Sequence, residues 1–437
     1  MTTLAAGQAG WRELLEGALP SPDATPLGTL RGEAEDAFAR LALPTGRDEA
    51  WRFTSLGPLL TGRYQVGGTP GGTLLPQISR FLLPEAEGGR ITFIDGLFAP
   101  ELSSLDGLPP GVELRPLSEA GAPRPPQLGA IVRHDESAFT ACAARLAEDG
   151  GYLHVAAGVA LEQPLQVLFV SSGAGPARAV APRLHVTLGP GARATLVQMF
   201  VAAAEEASGF INAITELDVA EGARLTHVRV QSESRRAVHL ESLGAKVGRD
   251  ATYALGSVTL GARLSRLDAR VEGTGTGMDA TLDGLALLAG DQVADTHSAL
   301  VHAQPNGRSR QAQRMILDGQ SHAIFSGLIK VATGAVQTDS AQSSRGLLLS
   351  DRARIDTKPE LAIQADDVKC AHGAAIGQLD PEQVFYLRAR GLAPAAAEAL
   401  LTYAFAAEAL ATVPVPSLRR QLQAVLLGRT APRTEAR

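Results

Sequence analysis

Residues 350–380 read SDRARIDTKPELAIQADDVKCAHGAAIGQLD. Ala353, Ile355, Leu361, Ile363 and Val368 are separated by charged or polar residues, which is the alternation of a β-structure. Pro359, Gly373 and Gly377 punctuate the stretch, and it holds Cys370, one of only two cysteines among 437 residues. The same texture extends upstream to about residue 150, as short apolar runs between glycine turns with no helical period. Within it a small turn residue followed by Ala and a strand recurs at Gly191-Ala192, Gly222-Ala223, Asp250-Ala251, Asp279-Ala280, His322-Ala323 and Arg352-Ala353. The spacings are 31, 28, 29, 43 and 30 residues, the long one marking an insertion or a missed copy. A period of about 20–50 residues in a β stretch means a solenoid or a propeller. The WD and kelch signatures of propellers do not occur, so the expectation is a mainly β fold built on a parallel β-helix. An aromatic content of 4% agrees, because narrow coils take stacks of Val, Leu, Ile and Ala.

Helical texture flanks this region. Asp380 is an N-cap, Pro381 fits the first helical position, and the helix runs to Gly391. Pro394 opens a second helix with a stripe of Ala397, Leu400, Leu401, Ala404 and Phe405, and Leu418, Leu422, Val425 and Leu426 mark a third. The last residues, 430–437, read as a frayed tail. At the other end Leu30, Ala34, Phe38 and Leu41 form one helical face that Pro44 stops. Trp51 and Phe53, scarce aromatics here, dock that helical piece on the rest. Residues 91–96 read as a strand entering a turn, and 138–146 as a helix with Cys142 a buried small hydrophobe on its apolar face. The expected organisation is a mostly helical N-terminal domain over 1–90, a mixed connecting segment over 91–150, the β-helix over 151–379 and a helical domain over 380–437.

Composition excludes several functions. A net charge of −6 gives no electrostatic case for nucleic acid or an anionic membrane. No apolar run approaches the roughly 18–20 residues of a membrane span, and residues 1–10 lack the pattern of a secretory signal, so a cytoplasmic protein is expected. Cys142 and Cys370 form no C-x-x-C pair, against a disulfide framework or zinc ribbon. No G-x-x-x-x-G-K-[ST] occurs, so the chain is not itself a P-loop ATPase, and Gly273, Gly275 and Gly277 have turn spacing, not dinucleotide spacing. His297 and His302 are five apart and are expected on one turn region.

The chemistry concentrates at Cys370 and His372. Two residues apart in a strand, they point to one face and present a thiol and an imidazole, both soft-metal ligands. Two ligands do not close a site that wants about four. A structural strand end and a half-site completed by a partner therefore both remain open on the residues alone.

Long ordered motifs then show a resemblance: the 49–56 box EAWRFTSL, the turn at 93–100, HDESAFT at 134–140, the 146–170 segment, and above all LLLSDRAR-x-DTKPEL, DDVKC-x-HG and FYLR-x-RG within 347–390. These resemble the SufB/SufD family of the Suf iron–sulfur cluster assembly machinery, and its cysteine-poor SufD branch in particular. The resemblance implies a right-handed parallel β-helix that pairs with SufB, and C-terminal helices that bind the ABC-type ATPase SufC. It implies a scaffold subunit with no catalysis of its own, ATP hydrolysis residing in SufC. It implies iron or a transient iron–sulfur cluster at the SufB interface, with His372 and Cys370 as the matching residues, and no tightly bound cofactor in the isolated chain. The SufC-binding residues it implies are Pro381, Phe385, Tyr386, Leu387, Arg388 and Gly391, and it leaves a homodimer open for the chain alone. The rivals are a non-catalytic solenoid adaptor and a β-helix carbohydrate-active enzyme. The latter would want an acidic cluster, more aromatics and an export signal.

Overall fold

The structure, a computed structural model, describes residues 10, 11, 13–67 and 74–430. The glycine turns expected around 68–72 and the tail at 431–437 lie outside the described residues. The chain forms a parallel β-solenoid of about eight turns with helices at both ends. Each turn gives one strand to each of two sheets, of 12 and 10 strands among the described residues. Register partners in the second sheet run Arg193, Arg224, Thr252, Asp279, Arg308, Asp339 and Lys369, so the true coil length is 27–31 residues.

One corner of the coil explains the sequence repeat. Gly191, Gly222, Asp250, Gly277, Asn306, Gln337 and Asp367 all have positive φ, which glycine, Asn and Asp tolerate best. They stack, the backbone N–H of each of the first six reaching a carbonyl of the next coil, as from Gly191 to Glu221 and from Gln337 to Asp367, both 2.8 Å. The residue after the corner turns inward, and Ala192, Ala223 and Ala251 are fully buried. The 43-residue gap in the repeat holds no insertion. Asp279-Ala280 lies two residues past the corner at Gly277, while His322-Ala323 opens a strand of the other sheet. The missed copies are Asn306-Gly307, Gln337-Thr338 and Asp367-Val368, where no Ala follows the turn. The same stacking places Gly273–Gly277 at a coil corner, as expected, but puts His297 and His302 inside one strand, Val293–His302, and not on a turn.

The interior changes character along its length. The early coils stack Ala194, Leu225 and Tyr253 in one inward column. A buried ionic patch follows, where Arg229 pairs with Glu241, and His239 sits 2.9 Å from Glu233. The last coils are lined by hydroxyls and amides: Ser309, Gln311 and Gln313 on one strand stand in register with Ser340, Gln342 and Ser344 on the next.

The N-terminal end of the solenoid is closed. Ser137 and Thr140 form a reciprocal capping box that starts the helix Ala138–Leu146, and all nine of its residues are buried, Cys142 included. The helix expected across 30–41 breaks at Ala34 into Pro26–Glu33 and Glu35–Arg40. Trp51 docks as expected, under the Arg266 guanidinium at 4.0 Å and against Phe139, but Phe53 stays 37% exposed. At the other end Asp380 caps the helix Pro381–Ala389 by accepting from the Glu382 N–H, and Gly391 ends it with positive φ. In the helix Pro394–Leu410 the buried side is Ala397, Thr402, Ala406, Ala409 and Leu410, and Leu400 is exposed, contrary to the expected stripe. This helix is apolar nearly all round, so periodicity could not choose a face. Contacts with the helix Pro416–Thr430 and with the outer face of the second sheet decide it. Leu418, Leu422 and Leu426 of that third helix are buried as expected, and Val425 is not.

One buried carboxylate fixes the loop that leads into the capping helix. Glu216, wholly buried, accepts from the backbone N–H groups of Gly129, Ile131 and Val132 and from Arg183 at 2.7 Å. Burial opposes its charge, but Arg183, His185 and the Gly129 N–H hold the carboxyl well below the usual range. Such a group stabilises the fold above its unfolded pKa, and that stabilisation is lost as pH falls toward the folded value. Glu216→Gln is expected to cost about 3–5 kcal/mol at neutral pH, because Arg183 is left buried and unpaired. Between about pH 4.5 and 2 the variant should also lose one proton's worth of slope, about 1.4 kcal/mol per pH unit. Denaturant titrations of both chains across that range measure this, and superimposable curves would contradict it.

Candidate functional site at the open end of the solenoid

The last two strands, Arg354–Ile363 and Lys369–Gly377, are the final strands of the two sheets, each paired on one side only. Their side chains are nearly all half-buried or exposed, because no further coil covers them. Ile363 and Ile376 are 40% and 44% exposed there. This is an uncapped sheet edge with apolar residues on it, a surface that natural proteins cover or pair.

Cys370 and His372 lie on Lys369–Gly377 with the spacing expected, and the register says which way they face. Cys370 pairs with Ser340 and His372 with Gln342. Ser340 and Gln342 are buried at 1% and 3% exposure, so they point inward, and in-register parallel neighbours share that face. The two candidate ligands thus crown the inside of the solenoid at its open mouth. Cys370 is half-buried and packs against the main core, and burial pushes its thiol up. His372 is exposed. Among the described residues no group of three or more His, Cys, Asp or Glu is arranged to hold a metal ion, so any site here takes further ligands from outside.

Beneath these two residues run hydrogen-bonded ladders that the sequence reading did not single out. His302 Nε2 meets Ser309 Oγ at 2.8 Å, and Ser309 meets Ser340 at 2.6 Å, directly under Cys370. In the adjacent row Ser298 bonds Gln311 at 2.8 Å, and Gln342 Nε2 donates to Gln311 Oε1 at 2.8 Å, directly under His372. Gln342 Oε1 is buried with no partner, an arrangement that costs about 1–3 kcal/mol. A signal for these ladders exists in the sequence. S-x-Q-x-Q at 309–313 and S-x-Q-x-S at 340–344 put polar residues at three successive period-two positions where the coil before has Ala280, Leu282 and Gly284.

The strand with Cys370 and His372 passes through only Gln378, Leu379 and Asp380 into the helix Pro381–Ala389. That helix buries none of its residues. Phe385 is 71% and Tyr386 55% exposed, with the Arg390 guanidinium over the Tyr386 ring. Pro381, Phe385 and Arg388 recur at i, i+4 and i+7 on one exposed face, and Gly391 is exposed just beyond the helix. Leu387 is half-buried, so it is the least available of the residues expected to meet SufC.

The larger cavities lie elsewhere. One of about 500 Å³ sits where residues 49–54 cross the outer face of the first sheet. Its charges are largely paired: Lys358 bridges Glu49 and Glu360, and Asp356 is held by His322 at 2.7 Å from outside the lining. Neither Cys370 nor His372 lines it. The two cysteines should respond differently to a thiol reagent. Alkylation of the native chain is expected to modify Cys370 and spare Cys142 until denaturant is added, read by peptide mass. Equal labelling of both in the native state would contradict the placement.

The chain matches two family models: "SUF system FeS cluster assembly, SufBD core domain" over residues 169–405, and "SufBD protein N-terminal region" over 16–167. A SufBD family iron–sulfur cluster assembly protein of Synechocystis is 34% identical over 410 residues, covering 92% of this chain and 90% of that protein. The iron–sulfur cluster assembly protein SufD of Escherichia coli is 32% identical over 388 residues, covering 88% and 89%. SufD of Bacillus subtilis is 28% identical over 298 residues, covering 68% and 67%. With both family models matched in sequence order, and the solenoid formed where the core model matches, the chain belongs to the SufB/SufD family of iron–sulfur cluster assembly proteins and is SufD-like within it.

Proposed function

We propose that this chain is a non-catalytic scaffold subunit of a cytoplasmic SufB–SufC–SufD-type complex, in which the open end of its solenoid pairs with SufB. The observation that supports this reading best is the uncapped edge at Arg354–Ile363 and Lys369–Gly377, with Cys370 and His372 on it. A second β-solenoid abutting that edge would cover Ile363 and Ile376 and could bring the missing ligands. Iron or a nascent cluster is then the cargo of the junction. His372 supplies a neutral imidazole, a less tenacious ligand than thiolate, which suits a cluster that must leave again. Cys370 is the secondary ligand, since its thiol is half-buried and burial holds it protonated.

SufC, in this reading, docks on Pro381–Ala389 through Phe385, Tyr386 and Arg388, and hydrolyses the ATP. The three-residue link makes the coupling mechanical: a displacement of the helix pulls on a strand whose backbone is bonded on one side only. The helices that follow are held more firmly. Glu408 pairs with Arg314 on the second sheet, and Ser417 bonds Glu85. Motion is therefore directed into the edge strand before the body of the solenoid.

Two substitutions test the two halves of this reading. His372→Ala in the reconstituted three-protein complex is expected to reduce iron and sulfide loading severalfold while leaving complex assembly intact, and unchanged loading would refute its role. Phe385→Asp is expected to weaken SufC binding by about tenfold or more, since a large exposed aromatic is the type of residue that anchors an interface. Titration calorimetry with an unchanged dissociation constant would remove the docking assignment.

A further inference from the structure

We infer that Gln342 is a positioning residue for His372, fixing which ring nitrogen carries the proton and so which one is offered to the cargo. The inference rests on the reading of His372 as a ligand and adds a residue to it. Gln342 and His372 are register partners on neighbouring strands, both on the inward face. Parallel neighbours lie about 4.8 Å apart, so the imidazole stands over the amide within a rotamer step of bonding to it. The amide itself is not free to turn. Its Nε2 is committed to Gln311 Oε1 at 2.8 Å, and Gln311 is held in turn by Ser298 at 2.8 Å. That ladder leaves Gln342 Oε1 buried, 3% exposed with its residue, and without a partner. It is an acceptor beneath the one imidazole of the last coil.

An acceptor so placed selects the tautomer whose N–H points into the solenoid. The other nitrogen, bare and facing out of the open mouth, is the one that can take a metal. Histidine ligands are generally oriented in this way, by a hydrogen bond from the nitrogen that does not bind. The ladder then has a function that an apolar stack of Leu would not serve. It carries fixed amide orientation from Ser298, two coils in, to the rim. Strand register gives the same three-level column, with Gln311, Gln342 and His372 aligned.

The test uses the full-length chain, labelled with nitrogen-15, at about pH 8.5, where imidazoles are neutral. Long-range proton–nitrogen correlation spectra report the protonation of each ring nitrogen, and His372→Gln assigns the His372 signals by their loss. The native chain is expected to show one His372 tautomer favoured by about tenfold, the bias of an ordinary hydrogen bond. Gln342→Met keeps the length and burial but has no acceptor, and should return His372 to the mixture of a free imidazole. A native His372 that already shows the free mixture, or a bias that survives Gln342→Met, overturns the inference. The outcome separates from the ligand reading. If His372→Ala spares cluster loading while Gln342→Met moves the tautomers, the contact stands and the ligand role falls.

Discussion

A parallel strand satisfies its backbone between two neighbours, and in this chain the last coil has only one. Every other coil is pinned by ladders on both sides and by the stacked corner from Gly191 to Asp367, where each turn hands an N–H to the next. The register that results is continuous from Arg193 to Lys369. It makes the position of every inward side chain a consequence of the one below it. The open end inherits that order without a cap to absorb it. Cys370 and His372 are therefore held in known directions yet remain half-exposed and exposed, respectively, a combination that a closed solenoid could not offer.

The polar interior of the last coils has a cost that a stack of aliphatic side chains avoids. Leu196 and Leu225 contribute burial with no polar partner to find, whereas Gln342 Oε1 and His302 Nδ1 are buried without one. Buried amide and hydroxyl rows specify register and direction better than apolar stacks do, because each rung must meet its partner. The rows under Cys370 and His372 run up to the site itself, whereas the one joining Gln198, Thr215 and His227 lies deep in the stack. The ionic patch at Arg229, Glu241, His239 and Glu233 is of a different kind. It is built on charge pairs, with Thr215 donating to Glu241, and Arg229 and His239 overcome burial to hold Glu241 down to about 2.

Much of the fold was legible in the sequence because a solenoid writes its geometry locally. Positive-φ corners select Gly, Asp and Asn, and the inward residue after the corner selects Ala, which is why the first three copies of the repeat were read correctly. The copies at Asn306, Gln337 and Asp367 were missed because Gly, Thr and Val follow there, where the interior is no longer filled by Ala. The caps at Asp380 and Ser137 were readable for the same local reason. The burial of Pro394–Leu410 was not, since a helix apolar on all sides has no preferred face until its neighbours are placed. At the site, the pairing of Cys370 with His372 on one face followed from period two. That this face looks into the solenoid, over Gln342 and Ser340, depends on register between strands 30 residues apart, which no local pattern contains.

The central claim is that the uncapped edge is the functional surface of the chain. Hydrogen exchange of residues 354–377, alone and after mixing with a SufB-type partner, tests it most directly. The account predicts that the amides of Lys369–Gly377 that face away from the neighbouring strand exchange fast in the chain alone, and are protected when the partner is added. Unchanged exchange there, with protection appearing instead over the capped end at 138–155, would contradict it.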